Sequence, residues 1–209
     1  MNQLDKRLSY LKEMLLRMSD IVIENVTRSL YIYQSSEEVA YINDDVVDQY
    51  ERLIEEICID ILIREKLYAT DLREVVGILR LVADLERIGD HAEDIMTYNI
   101  KLRPSSTTVI QNINIMAKKS IDLIKLAIDA FINKDLEKAE AVINGDDEVD
   151  ELFLNITRKL AEVPIQNSDE QKSILYSSFV VKYLERIADH AVNIADWVIY
   201  IVKGIHKQR

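Results

Sequence analysis

The chain has 209 residues, of which only four are Gly and two are Pro; a fold rich in tight turns, such as an all-β sandwich or a Rossmann-type sheet, draws on many more. Apolar residues at 48% and charged residues at 30% exclude a disordered chain and suit long amphipathic helices. A net charge of −11, carried mostly by the first 103 residues, argues against nucleic acid and against a permanent seat on an anionic membrane, and makes cations or basic protein surfaces the natural partners.

Six amphipathic segments follow one another, predicted as helices near 3–34, 37–66, 70–101, 108–133, 135–162 and 169–205. The first begins without the apolar run of a signal peptide, so cytoplasmic residence is the default expectation. Ser35-Ser36 separates it from the second, which carries the stripe Val47, Tyr50, Ile54, Ile57 and Ile61. Cys58 lies within this apolar run and reads as a buried, inert thiol, with no disulfide framework possible in a chain that has one cysteine. The third helix repeats the stripe through Ile78, Leu81, Leu85, Ile88, Ala92 and Ile95. Arg103-Pro104-Ser105-Ser106 then interrupts the chain, Asn133 divides the fourth helix from the fifth, and Pro164 with Asn167-Ser168 ends the fifth. The sixth helix runs through Val180, Leu184, Ile187, Ala191, Ile194, Val198, Ile201 and Ile205. Ser36 before Glu38, Thr70 before Asp71 and Ser168 before Glu170 read as capping hydroxyls ahead of acidic first turns. Spacings of three and four residues call for antiparallel helices crossing at a shallow angle. The longest apolar stretch, Trp197 to Val202, is far too short for a membrane span.

An internal repeat sets the architecture. Residues 84–99 read DLERIGDHAEDIMTYN and residues 183–198 read YLERIADHAVNIADWV, with eight of sixteen positions identical. Asp44-Asp45-Val46-Val47-Asp48 likewise returns as Asp146-Asp147-Glu148-Val149-Asp150. The expected fold is all-α: six long antiparallel helices forming two pseudo-symmetric three-helix bundles, 1–103 and 104–209, joined at Pro104.

The repeats are acidic. Glu86 and Asp90, and again Glu185 and Asp189, stand four residues apart and therefore one above the other on a helix, with Asp94 and Asn193 a turn further on. Antiparallel pairing about a turn near residue 68 brings Asp44 and Asp48 level with Glu86 and Asp90; a turn near 166 brings Asp146 and Asp150 near Glu185. Unpaired carboxylates so placed repel one another, whereas a hard cation takes several oxygen ligands. An oxygen donor set suits Mg, Ca, Mn or Fe better than a structural Zn site. The plain alternative is a solvated charged face, because these acids fall outside the apolar stripes. His91 and His190 adjoin the acids and read as packing or hydrogen-bonding residues; Arg87 and Arg186 read as ion-pair partners.

The twin LERI[GA]DHA motifs, the two DDxVD segments, the stretch REKLYATDLR from Arg64 to Arg73 and the ending ADWVIYIVKG together resemble the PhoU family of phosphate-signalling proteins over nearly the whole chain. The resemblance implies multinuclear metal clusters held by E/DxxxD motifs, iron foremost with Mn, Mg, Ca or Zn as alternatives. It also implies a cytoplasmic, non-enzymatic adaptor that restrains the phosphate-starvation response and touches the membrane only through partners. Those implied partners are a sensor histidine kinase and the ATPase of a phosphate importer, with a homodimer as a further possibility. Asp94, preceded by Glu93, stands where the family commonly has Asn, and Ala188 where it has the Gly kept at Gly89; the two halves are therefore expected to differ in metal number or affinity. Two other readings compete. Paired DDxxD motifs resemble isoprenyl diphosphate synthases, but the chain is short for a prenyl cavity, no Arg-rich tract follows, and the motifs are expected in first turns. A ferritin-like di-iron site needs Glu-x-x-His, and neither His91 nor His190 has a Glu three residues earlier. A structural bundle that binds no metal is the remaining alternative.

Overall fold

The computed structural model describes residues 3–31, 42, 44–99 and 107–205. They form α1 (Gln3–Tyr31), α2 (Asp44–Arg64), α3 (Ala69–Asn99), α4 (Thr107–Asn133), α5 (Leu136–Glu162) and α6 (Ser168–Lys203), and no strand occurs among them. At ~1.5 Å per residue these are rods of ~30–55 Å, too long to be stable alone and held by their apolar faces.

α3 and α6 form the axis of the molecule and share its most extensive helix contact. They run antiparallel, since Gly77 approaches Ile201 at one end while Tyr98 packs on Tyr176 and Phe179 at the other. α1 lies on α3, α4 lies on α6, and α1 touches α4, so these four close a ring; α2 packs outside on α1 and α3, and α5 outside on α4 and α6. The stripes meet inside, where Leu81, Leu85, Ile88, Leu184, Ile187 and Ile194 are fully buried, each such side chain contributing ~1.5–3 kcal/mol of transfer free energy. Cys58 is buried as the sequence predicts, and burial pushes its thiol up to about 12. No helix of the described residues is long and apolar enough to cross a membrane.

Several local expectations change. Residue 42 is not helical, so α2 is shorter than 37–66 and begins at Asp44; Ser36 and the Pro104 junction lie outside the described residues. The α6 cap is Asn167 and not Ser168: its extended backbone (φ −153°) lets Oδ1 accept from the amides of Asp169 and Glu170 at 3.0 and 2.9 Å. At the other end, Gly204 takes the left-handed conformation (φ 73°) and closes α6, which leaves Ile205 beyond the helix and exposed. Asp44 and Asp45 occupy the first turn of α2, but Asp146 and Asp147 sit well inside α5, which begins at Leu136 behind the cap Asp135. The first-turn argument against a DDxxD enzyme therefore applies to one motif of the two.

Candidate functional site

Glu86 and Asp90 lie on the edge of α3 that faces α2, and Asp44 and Asp48 come down from α2 to the same level. Asp44 is the most perturbed of the four. Its carboxyl is pushed up to about 6, first by burial and then by the charges of Glu93, Asp90, Asp48 and Glu86. Glu86 is raised by burial and by Asp90, Glu51 and Asp48, and Glu51 in turn by burial, Glu55 and Asp48. These acids thus share one field, as the antiparallel levels predict; Asp44, Asp48, Glu51, Glu86 and Asp90 stand half-buried, while Glu93 is exposed. Gly89 lies close under α2: a Cβ there would come within 3.0 Å of Asp44 Oδ1 and 3.3 Å of Val47, so these side chains would have to give by a few tenths of an ångström.

The second half repeats this in part. Asp189 is raised by burial, by Glu185 and by Asp150 of α5. Asp146 lies one turn before Asp150, half-buried on α5. Where α3 has Gly89, α6 has the buried Ala188. Each cluster has some positive charge beside it. Arg87 reaches Asp90 at 3.0 Å and Glu86 at 3.4 Å, while Lys182 pairs with Glu185 at 2.5 Å and Arg186 lies 4.0 Å from it. Among the described residues, no three His, Cys, Asp or Glu side chains are already gathered at metal-holding geometry.

Asp94 and Asn193 make their described contacts across the α3–α6 seam. A step of four residues on an α-helix turns the side chain by ~40°, so a row of three drifts toward the neighbouring helix, here across the α3–α6 seam. Asp94 Oδ2 lies 3.8 Å from His91 Nδ1 and acts on Tyr183 of α6. Asn193 Nδ2 donates to Asp84 Oδ1 at 3.2 Å, and His190 Nδ1 lies 2.8 Å from the same oxygen. His91 and His190, equivalent in the repeat, lie with ring centroids 5.5 Å apart, and His91 also packs at a tilt against Tyr183 at 5.4 Å. Burial, reinforced by His190, lowers the pKa of His91. The histidines are thus seam residues, as read from the sequence.

Sequence reasoning passes over Glu51 and Asp84, and names Glu93 only as the neighbour of Asp94. Glu51 and Glu93 belong to the acidic field of α2 and α3. Asp84 was hidden because its repeat equivalent is Tyr183; its signal is the antiparallel register of α3 against α6, which sets it opposite His190.

The family model described as the PhoU domain matches this chain twice, at residues 15–98 and 113–198. A phosphate-specific transport system accessory protein PhoU homolog of Aquifex aeolicus is 34% identical over 97% of this chain and 94% of its own. One of Clostridium acetobutylicum is 32% identical over 80% of this chain and 77% of its own. The crystal structure of PhoU from Pseudomonas aeruginosa superposes with a TM-score of 0.85 at 30% identity, covering 97% of this chain and all of that one. PhoU from Streptococcus pneumoniae gives the same TM-score at 21% identity, a likeness of fold.

Proposed function

The chain belongs to the PhoU family, and from that premise we propose that it is a non-enzymatic, metal-binding regulator of phosphate uptake, acting in the cytoplasm on the phosphate importer and its signalling pathway. The relatives' names tie them to phosphate-specific transport as accessory proteins. The partners this assigns are the importer's ATPase and the sensor histidine kinase of the phosphate response.

The observation that carries the metal reading is the raised carboxyl of Asp44, held among Asp48, Glu86, Asp90 and Glu93. Asp44, Asp48, Glu86 and Asp90 are partly desolvated together there, and among the described residues Arg87 pairs with Glu86 and Asp90. Asp44, Asp48, Glu86 and Asp90 would hold a cation in the first half; Asp150, Glu185 and Asp189, with Asp146 beside them, would do so in the second. All donors are carboxylate oxygens, which suits iron, manganese, magnesium or calcium. A bound cation supplies the positive charge that lets these acids stay ionised side by side. The chain's own part is to place them: Gly89 lies close under α2, while Val47, Ile54 and Ile61 anchor α2 to the core. The surface so fixed is what partner domains would read.

The test is genetic. Cells lacking the gene, grown in ample phosphate, should lose repression of phosphate uptake; the wild-type gene should restore it, and the variant with Glu86, Asp90, Glu185 and Asp189 changed to Ala should not. Normal repression in the deletion strain would remove the regulatory reading.

A further inference from the structure

The α3–α6 seam sets the repeat against itself. Asp84 and Tyr183, His91 and His190, and Asp94 and Asn193 each stand 99 residues apart, at equivalent positions of the two motifs. Asp84 of α3 meets His190 and Asn193 of α6 at 2.8 and 3.2 Å, while Tyr183 of α6 packs on His91 of α3 at 5.4 Å and is acted on by Asp94. Contacts in one direction mirror those in the other, and the two imidazoles lie where the halves meet, with ring centroids 5.5 Å apart. This side of the seam is open: among the described residues α2 touches α3 but not α6, and α5 touches α6 but not α3. The side chains of His91 and His190 are 18% and 19% exposed, so an ion reaches them from solvent without unfolding.

Packing alone does not account for these rings. His91 Nδ1 is buried and has no hydrogen-bond partner; Asp94 Oδ2 lies 3.8 Å away, beyond hydrogen-bond reach. A ring nitrogen so placed loses its hydration without a replacement bond. His190 is held differently, with Nδ1 2.8 Å from Asp84 Oδ1. A ring that donates Nδ1–H to a carboxylate keeps its lone pair on Nε2, and a carboxylate behind the imidazole is what orients metal-binding histidines and raises their basicity. The spacing agrees. Two imidazoles on one tetrahedral ion, each with nitrogen ~2.0–2.1 Å from it, place their ring centroids roughly 5 Å apart.

We propose that His91 and His190 together bind one transition-metal ion of the zinc or copper class at the α3–α6 seam. Imidazole nitrogen favours these ions, whereas all-carboxylate sets take harder cations, so the seam differs in chemistry from the acidic clusters and does not depend on their being filled. Among the described residues no third His, Cys, Asp or Glu stands at metal-holding geometry with them. The site is therefore an open one, with water in the remaining positions, and weaker than a closed structural zinc site. Asp84 is its positioning residue, since it fixes the His190 ring and ties Asn193 beside it.

Copper(II) is the probe, because its electron paramagnetic resonance spectrum counts the imidazole nitrogens on one ion. The full chain would carry His206→Ala, which leaves His91 and His190 as its only histidines. One equivalent of copper should bind through two imidazole nitrogens, and excess zinc should displace it. His91→Ala and His190→Ala should each leave one nitrogen and weaken binding by about tenfold or more. Asp84→Asn, which keeps the shape and removes the charge, should weaken binding by about tenfold with both nitrogens retained; a merely structural Asp84 would leave copper affinity unmoved. Circular dichroism would show that these variants keep their helices, and the nitrogen count on the His206→Ala chain needs none of them. Copper held there by a single nitrogen, or by oxygen alone, would overturn the proposal, as would affinity unchanged by His91→Ala and His190→Ala. Copper at the seam of a chain that holds no iron or manganese would support this site and remove the cluster reading, so the two can fail separately.

Discussion

Asp44 shows how a single carboxyl ties stability to the acidic site. Its pKa is raised in the folded chain to about 6 from an ordinary value near 4, and Glu86 and Asp189 move the same way. A carboxyl with a raised folded pKa binds its proton more tightly in the native state. Its stabilising contribution is therefore complete below the unfolded value and is lost as pH rises through the folded one. The lowered pKa of His91 pulls the other way in this window, so the share of the acids is read by comparison: metal-free wild type should gain more Tm, or lose less, than Asp44→Asn on going from pH 7.5 to pH 5.5, and an added divalent cation should shrink that difference. The same pH dependence in wild type and Asp44→Asn would contradict the shared field. The pairing of Asp44 and Asp48 with Glu86 and Asp90 was legible because antiparallel levels follow from turn position alone. The seam contacts of Asp94 and Asn193 were not, because they depend on the angular drift of a four-residue step and on what the facing helix places opposite.

Among the elements, Glu74 of α3 is the point where three segments meet. Lys12 of α1 lies 2.8 Å from one carboxylate oxygen, and Lys134 of the α4–α5 turn lies 2.7 Å from the other. Burial alone would raise the Glu74 pKa, and the two ammonium groups together bring it below its usual value. Lys134 holds a left-handed backbone (φ 54°) at this turn, a conformation that costs a non-glycine residue ~1 kcal/mol. Glu74→Ala should cost about 2 kcal/mol, or about 4–8 °C in Tm, through the lost ion pairs and the gap beside Phe131 and Ile201. Lys12→Ala should cost less, because that lysine is partly exposed and Glu74 keeps Lys134. A Glu74→Ala protein melting with the wild type would mean that the cluster holds nothing together. The sequence shows six helices by period and their breaks by Ser, Asn and Pro, but Glu74 looks like any other charge between apolar positions. Its role comes from tertiary contacts 60 residues or more apart in sequence, such as that with Lys134. The same holds for Asn167, which outcompetes the adjacent Ser168 because its backbone is extended at the helix boundary.

At the scale of the whole molecule, duplication explains most of what could be read and asymmetry most of what could not. The repeat predicts two similar halves, and α3 against α6 brings its equivalent histidines together at the seam. It does not predict that α5 should lie tight on α4 while α2 stands off α1, nor that Asp146 should sit deep in its helix when Asp44 opens one. Those differences fall on the outer helices, which carry Asp44 and Asp48 on one side and Asp146 and Asp150 on the other, and a symmetric core supports two unlike faces. The twin clusters remain the feature on which the regulatory reading turns. Elemental analysis of the purified full-length protein after loading with iron and manganese, beside the variant with Glu86, Asp90, Glu185 and Asp189 changed to Ala, tests them most directly. The expected result is metal that stays with the wild type through gel filtration and is absent from a variant of unchanged helicity. Equal metal in the two proteins, whether substantial or negligible, would contradict it.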